Sequence, residues 1–330
     1  MIKTNPRRRG LLAAMLATCV AMTALTPGLA EAKTLKLGHL GNEDNSWHKA
    51  AMKFAEEVKA RTNGELEVQV FPNEQLGKET DLIKGLQLGT VDFTITGESL
   101  QNWTPYASLL AVPYALRDSE HMRKVVEGPI GQKIATEIEA KAKLVPLTWF
   151  ERGPRELTSN RPIKTPDELN GLKLRVPNVP LFVSVWEALG AKPTPMAFSE
   201  VFTGLQSHVI DAQENPLALI RSASLYEVQK YVNMTDHVRS WIYLVASQRL
   251  MKNLTDEQRG AVLEAAKDAQ AYERELFLAD EERFKSELQG KGMEFVEVDK
   301  AAFAAKAKDA VAKSLNPEVT PLYEEMLAVK

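Results

Sequence analysis

Three residues in the middle of this 330-residue chain have the chemistry needed to hold a carboxylate: Arg155, Arg175 and Asn215. A guanidinium presents its N–H donors in a planar fork that matches the two oxygens of a carboxylate, and an amide adds one more oriented donor. Leu174-Arg175-Val176-Pro177 reads as the end of a short strand, whose alternation sends Leu174 and Val176 to one face and Arg175 to the other. Facing a cleft, Arg175 is a ligand clamp; facing solvent, it is an ordinary edge-strand arginine, and residue chemistry alone leaves both open. Asp211 and Glu214 raise a rival chemistry, acid–base catalysis, although carboxylates three apart more often cap a turn or face solvent. The chain has no glycine-rich phosphate loop, no G-x-S-x-G elbow and no H-E-x-x-H pair. Its five histidines, His39, His48, His121, His208 and His237, lack zinc-ligand spacing, so neither a metal nor a cofactor is expected.

The elements that must position these residues follow from hydrophobic periodicity. Thr34 to Leu40 alternates as a strand, and from an N-cap at Asp44 or Asn45 the residues Trp47, Ala51, Phe54 and Val58 recur at helical spacing until Asn63-Gly64. Leu66, Val68 and Val70 form a second strand, Leu82, Ile83 and Leu86 mark a second helix, and Val91 to Ile95 is a third strand. This β-α-β-α-β opening predicts a mainly parallel sheet, with ligands bound beyond the carboxyl ends of its strands, beside the loops at Gly41–Ser46 and Thr96–Gln101. The helix starting near Asn45 aims free N–H groups at the same place. Pro146, Pro154, Pro162, Pro166, Pro177, Pro180, Pro193 and Pro195 punctuate the middle of the chain into short strands and helix starts, consistent with a second α/β unit and a crossing linker. Thr255-Asp256-Glu257-Gln258 is a capping box, and the uninterrupted run from Ala261 to Leu288 spans about 40 Å as a helix, long enough to lie across two domains. Met293 to Val298 reads as a strand and Lys300 to Leu315 as a final helix.

The first 32 residues read as an export signal: Lys3, Arg7, Arg8 and Arg9 precede the apolar stretch Leu11 to Leu25 and the A-x-A site Ala30-Glu31-Ala32. The general secretory route is preferred over a twin-arginine route, and a cysteine lying in a discarded segment over lipid attachment at Cys19. Cys19 is the only cysteine, so the mature chain is expected to hold no disulfide and no thiolate metal site. Cleavage removes four basic groups and one acidic group, moving the formal net charge from −3 to −6, which argues against a nucleic-acid partner. No later apolar run is long enough to cross a bilayer. The remaining length favours two domains with a cleft between them.

Leu174-Arg175-Val176-Pro177, Leu189 to Met196, Phe198-Ser199-Glu200-Val201-Phe202 and Gln213-Glu214-Asn215-Pro216 together resemble the solute-binding proteins of tripartite ATP-independent periplasmic (TRAP) transporters. The likeness runs through Gln75-Leu76-Gly77, Tyr226 to Tyr231 and the long late helix, and so covers nearly the whole mature chain. It implies a two-domain periplasmic binding protein fold of the α/β class, with crossing linkers and a long helix spanning both domains. The domains are placed at 33–153 with 241–280, and at 154–240 with 281–330. The implied role is capture of a small organic acid in the periplasm for a pair of integral membrane permease subunits, without catalysis. By motif, Arg175 matches the arginine that receives the substrate carboxylate in this family, Asn215 the asparagine that steadies it, and Arg155 a second arginine found in many members. Two departures stand out: Gly153-Pro154-Arg155 lacks the aromatic common before that arginine, and His208 and Ala212 replace frequent glycines.

Specificity is expected from the first-domain loops and from aromatic positions. Glu43, Asn45 and Glu98 carry hydroxyl-binding side chains, and Trp149, Phe198 and Trp241 are candidates for an apolar wall, so a sugar acid such as a uronate or aldonate is the first expectation. A four-carbon dicarboxylate suits Arg155 and Arg175 equally well, and an aromatic or oxo acid stays open. Competing classes are a binding protein of an ATP-driven importer and a secreted lyase or hydrolase using Asp211 and Glu214.

Overall fold

A computed structural model describes residues 32–330, so the expected export signal and Cys19 lie outside the described residues. β1 (Lys33–Gly38), α1 (Ser46–Arg61), β2 (Leu66–Phe71), α2 (Glu79–Leu88) and β3 (Phe93–Thr96) follow one another as the periodicity predicts. Asn45 caps α1 by accepting the Trp47 N–H on its side-chain oxygen at 2.9 Å, and Trp47, Ala50, Ala51, Phe54 and Val58 form the buried face. Two helices, α3 (Ser119–Glu127) and α4 (Pro129–Ala142), lead into β4 (Leu144–Ser159). There follow β5 (Lys173–Val176), α5 (Pro180–Leu189), β6 (Lys192–Pro195), α6 (Val201–Gln206), β7 (Ala212–Pro216), α7 (Leu217–Ser222) and β8 (Tyr231–Ser247). The chain ends with α8 (Gln248–Asn253), α9 (Asp256–Gly290), β9 (Glu294–Val296), α10 (Lys300–Ser314) and α11 (Thr320–Ala328).

The nine strands run in the order β2-β1-β3-β8-β4-β7-β5-β6, with β9 beside β8. β1 is parallel to β2 and β3, and β5 is parallel to β6 and β7, so each end of the sheet is an α/β lobe of its own. The long antiparallel pair β4 and β8 joins them: the end of β8 pairs with β3, whereas the end of β4 pairs with β7. Pro146 and Pro154, expected to separate short strands, both lie inside β4. The β4–β8 ladder shifts register between Pro146 and Thr148 and between Arg152 and Arg155. Proline has no N–H to give a ladder, so it is tolerated where the pairing already slips. The second slip matters for the site. Residues three apart on a regular strand face opposite ways, yet Arg152 and Arg155 both line the same cavity.

The capping box predicted for α9 is present, with Gln258 N–H donating to Thr255 Oγ1 at 3.1 Å and Thr255 N–H to Gln258 Oε1 at 3.2 Å. Val262, Ala265, Ala266 and Ala269 of α9 pack into the first-lobe core with Leu37, Phe54 and Leu244. Phe284 and Leu288, further along, pack with Val201, Leu217 and Ile220 of the second lobe. One continuous helix is therefore held at each end by a different core.

Between these ends Glu273 is buried, accepting the Ser46 hydroxyl at 3.1 Å, and burial pushes its carboxyl up to about 8. In the unfolded chain the same group ionises near the ordinary carboxylate value, so between those pH values the folded state holds the extra proton. Stability from this group is complete below the unfolded pKa and declines as pH rises towards 8, at a slope of up to about 1.4 kcal/mol per pH unit. Thermal midpoints measured from pH 5 to 8 are expected to fall less steeply in Glu273→Gln than in the native protein. Identical slopes would mean that Glu273 carries no proton.

Candidate ligand-binding cavity

A cavity of about 370 Å³ lies between the lobes, where the ends of β3, β5, β6 and β7 converge. Leu174 and Val176 are fully buried in the core on one face of β5, and the intervening Arg175 faces the cavity. Its Nε and Nη2 both donate to the Met196 carbonyl, at 2.9 and 2.6 Å, and its guanidinium lies 5.9 Å from the Phe198 ring. Those contacts fix the fork without neutralising it. Burial brings the Arg175 pKa down to about 10, with Glu214 opposing and Arg155 adding to the shift, so it remains charged at neutral pH. Asn215, on β7, also lines the cavity, its amide donating to Gln213 Oε1 at 2.6 Å.

Arg155 lines the same space but is matched internally. Its Nε and Nη2 donate to the two carboxylate oxygens of Glu214, the Nη2 contact at 2.7 Å, and Nη2 also reaches the Glu214 carbonyl at 2.7 Å. His237 Nε2 lies 2.9 Å from Glu214 Oε2, and Thr235 Oγ1 lies 2.8 Å from His237 Nδ1. Burial lowers the His237 pKa, so the neutral ring donates from Nε2 and accepts the Thr235 hydroxyl at Nδ1. Burial alone would raise Glu214, but the Arg155 charge and the hydrogen bonds from Arg155 and His237 overcome it and hold the carboxyl near 2. A carboxylate so stabilised is a poor proton carrier. Asp211 points elsewhere, to the surface and Lys173 at 3.3 Å, so the two residues form no acid–base pair.

The first-lobe wall is built around Glu98. Gly97 lets this turn approach β8, since a Cβ there would lie 2.6 Å from Ile242 Cγ2. Arg152 donates to both oxygens of Glu98, and the Trp47 ring lies 5.4 Å from the Arg152 guanidinium. Glu79 beside them accepts the hydroxyls of Thr96 at 2.6 Å and Ser99 at 2.7 Å. At the rim, contacts bridge the lobes: Lys78 to Glu200 at 2.6 Å, Ser199 N–H to Glu74 at 3.2 Å, Leu181 N–H to Gln101 at 3.1 Å, and Asn102 to the Asn178 carbonyl at 2.9 Å.

Of the residues singled out from sequence, the fold brings Arg155, Arg175, Asn215, Glu98 and Phe198 to one cavity. The others stand apart from it. Glu43 is exposed before α1, and Asn45 is spent on capping, although that cap orients Trp47. Trp241 is fully buried, edge-on to Tyr243 at 6.5 Å, and Trp149 lies in a separate groove with Arg123 and Arg274. Thr96 lines the cavity too, from the loop expected beside the site, whereas Trp47, Lys78, Glu79 and Arg152 line it without having been singled out. Of these four, Arg152 left a signal, as a second arginine three residues before Arg155.

Two α/β lobes bridged across a cavity, with one guanidinium held ready and unmatched, define a solute-binding protein. The chain belongs to the bacterial extracellular solute-binding proteins, family 7, which match residues 37–318. It is similar to a TRAP periplasmic solute-binding protein of Roseobacter denitrificans solved with bound L-galactonate, at 60% identity and a TM-score of 0.88, covering 89% of this chain and 98% of that one. A TRAP periplasmic solute-binding protein of Xanthobacter autotrophicus, solved with bound β-D-galacturonate, aligns at 31% identity and a TM-score of 0.86, covering 90% and 100%. The 2,3-diketo-L-gulonate-binding periplasmic protein of Escherichia coli is 34% identical over 86% of this chain and 87% of its own length. Among the described residues no helix is long and apolar enough to cross a membrane.

Proposed function

We propose that this protein captures a sugar acid, an aldonate or a uronate, in the periplasm and delivers it unchanged to the membrane permease subunits of a TRAP importer. The observation that carries the reading is Arg175, a buried guanidinium positioned by a backbone carbonyl and left without an internal carboxylate among the described residues. The ligand's carboxylate completes it, with Asn215 beside the same group, while Arg155 supports the wall from its pairing with Glu214. The hydroxyls and carboxyls of Thr96, Ser99 and Glu79 suit a polyhydroxylated tail. The sugar acids bound by the two crystallised relatives favour this class over four-carbon dicarboxylates and aromatic acids. The lobes are proposed to hinge where β4 slips register and where β8 and α9 pass between the two cores.

The test is a thermal-stability screen of residues 33–330, freed of carried-over ligand, against sugar acids, dicarboxylates, aromatic acids and neutral sugars. A ligand at 100 times its dissociation constant adds about 2.7 kcal/mol, enough to raise the midpoint of a chain of this size by several degrees. Aldonates or uronates are expected to give that shift and their neutral alditols none. A shift from neutral sugars alone removes Arg175 from the reading and points to another importer class.

A further inference from the structure

The first-lobe wall of the cavity that Arg175 lines already contains the charge that a second ligand carboxylate would bring. Glu98 is 5% exposed, receives Arg152 on both oxygens and lies 3.4 Å from Arg155 Nη1. It therefore occupies the place between two guanidinium groups that the far end of a dianion would need. Lys78 is matched to Glu200, and Arg155 to Glu214 as well as Glu98. Among the described residues, Arg175 is the cavity cation with no carboxylate within 4.0 Å.

We propose that the cavity selects monoanions over dianions, and that Glu98 enforces this by serving as the built-in counter-ion of Arg152 and Arg155. The inference rests on the sugar-acid reading above. A ligand's first carboxylate meets Arg175. A second one meets guanidinium groups whose charges Glu98 and Glu214 already balance, with Arg152 Nε the buried donor left without a partner among the described residues, and it faces the negative charge of Glu98, so it loses its hydration for little in return. Specificity of this kind is negative: the wrong ligand is refused by repulsion and desolvation rather than by a weaker fit. Glu79 reports the same condition from within the protein. Half-buried beside Glu98, its carboxyl is shifted upwards by the loss of water around it and by the Glu98 charge, so the wall disfavours even a further charge of its own.

The experiment is titration calorimetry at neutral pH with L-galactonate and with galactarate, which has the same hydroxylated six-carbon chain and a carboxylate at each end. Galactarate is expected to bind at least about 100-fold more weakly, the scale on which like-charge juxtaposition disfavours wrong partners. Glu98→Gln keeps the shape, frees Arg152 of its counter-ion and is expected to narrow that gap at least about tenfold. Galactarate binding within tenfold of galactonate by the native protein overturns the inference and leaves the sugar-acid reading standing; failure of both ligands to bind, with no shift from any aldonate or uronate in the stability screen, overturns both. A folded Glu98→Gln with an unchanged gap removes Glu98 from the role. If that variant does not fold, Arg152→Gln tests the same pairing from the other side: unmasking Glu98 is expected to widen the gap, and a narrowed gap overturns the assignment.

Discussion

Arg175→Ala is expected to weaken binding of the sugar acid by roughly 30-fold to several-thousand-fold, corresponding to ~2–5 kcal/mol. Most of that loss comes from what the substitution leaves behind: a ligand carboxylate removed from water and facing no cation. The guanidinium is also positioned in advance, because the Met196 carbonyl holds two of its nitrogens, so little side-chain freedom remains to be lost when ligand arrives. Arg175→Lys separates charge from geometry. It keeps a cation but not the planar fork, and an intermediate affinity is expected. The same truncation should act differently on the ligand-free protein. Arg175 is 3% exposed and without a carboxylate partner, and burial already lowers its pKa to about 10, so its removal relieves a desolvated charge. The ligand-free midpoint of Arg175→Ala is therefore expected to match or exceed that of the native protein. Calorimetry for affinity and a melting curve without ligand read the two effects separately, and an unchanged dissociation constant would remove Arg175 from the site.

How far the sequence led depended on the range of the interactions involved. The β-α-β-α-β opening, an α1 cap at Asp44 or Asn45, which the structure assigns to Asn45, and the Thr255–Gln258 box were legible because their determinants lie within a few residues of one another. Arg175 was legible by alternation, since Leu174 and Val176 had to enter the core, but its facing a cleft depended on strands β6 and β7 that no local pattern places. Of the two long strands, β4 was misread as short pieces because Pro146 and Pro154 normally end ladders, and only its pairing with β8 reveals that each proline sits at a slip in the register. That slip also hid Arg152. Period-2 reasoning puts it on the opposite face from Arg155, and only the bulged geometry gathers both around Glu98, a residue more than fifty positions earlier. Glu214 was weighed as an acid–base group because its partners Arg155 and His237 are distant in sequence.

Glu214→Gln should lower stability by about 3–5 kcal/mol, the cost of stranding one member of a buried ion pair. Arg155 is 1% exposed and Glu214 fully buried, so solvent cannot replace the lost charge, and the carboxylate left to Arg155 is Glu98, at the longer distance of 3.4 Å. For a chain of this length the midpoint should drop by about 5–10 °C. The pH dependence follows from the same pairing. Glu214 is held near 2 when folded and titrates near the ordinary carboxylate value when unfolded, so its contribution is present above that unfolded value and is lost as pH falls towards 2. The native protein and Glu214→Gln should therefore converge in stability under acid, having differed most at neutral pH. Affinity distinguishes a supporting Arg155 from one that itself clamps the ligand. Were Arg155 waiting for the substrate, freeing it from Glu214 would tighten carboxylate binding. With Arg155 holding the wall behind Arg175 and Asn215, the variant should bind the sugar acid no more tightly than the native protein, because loosening that wall misplaces the groups that do.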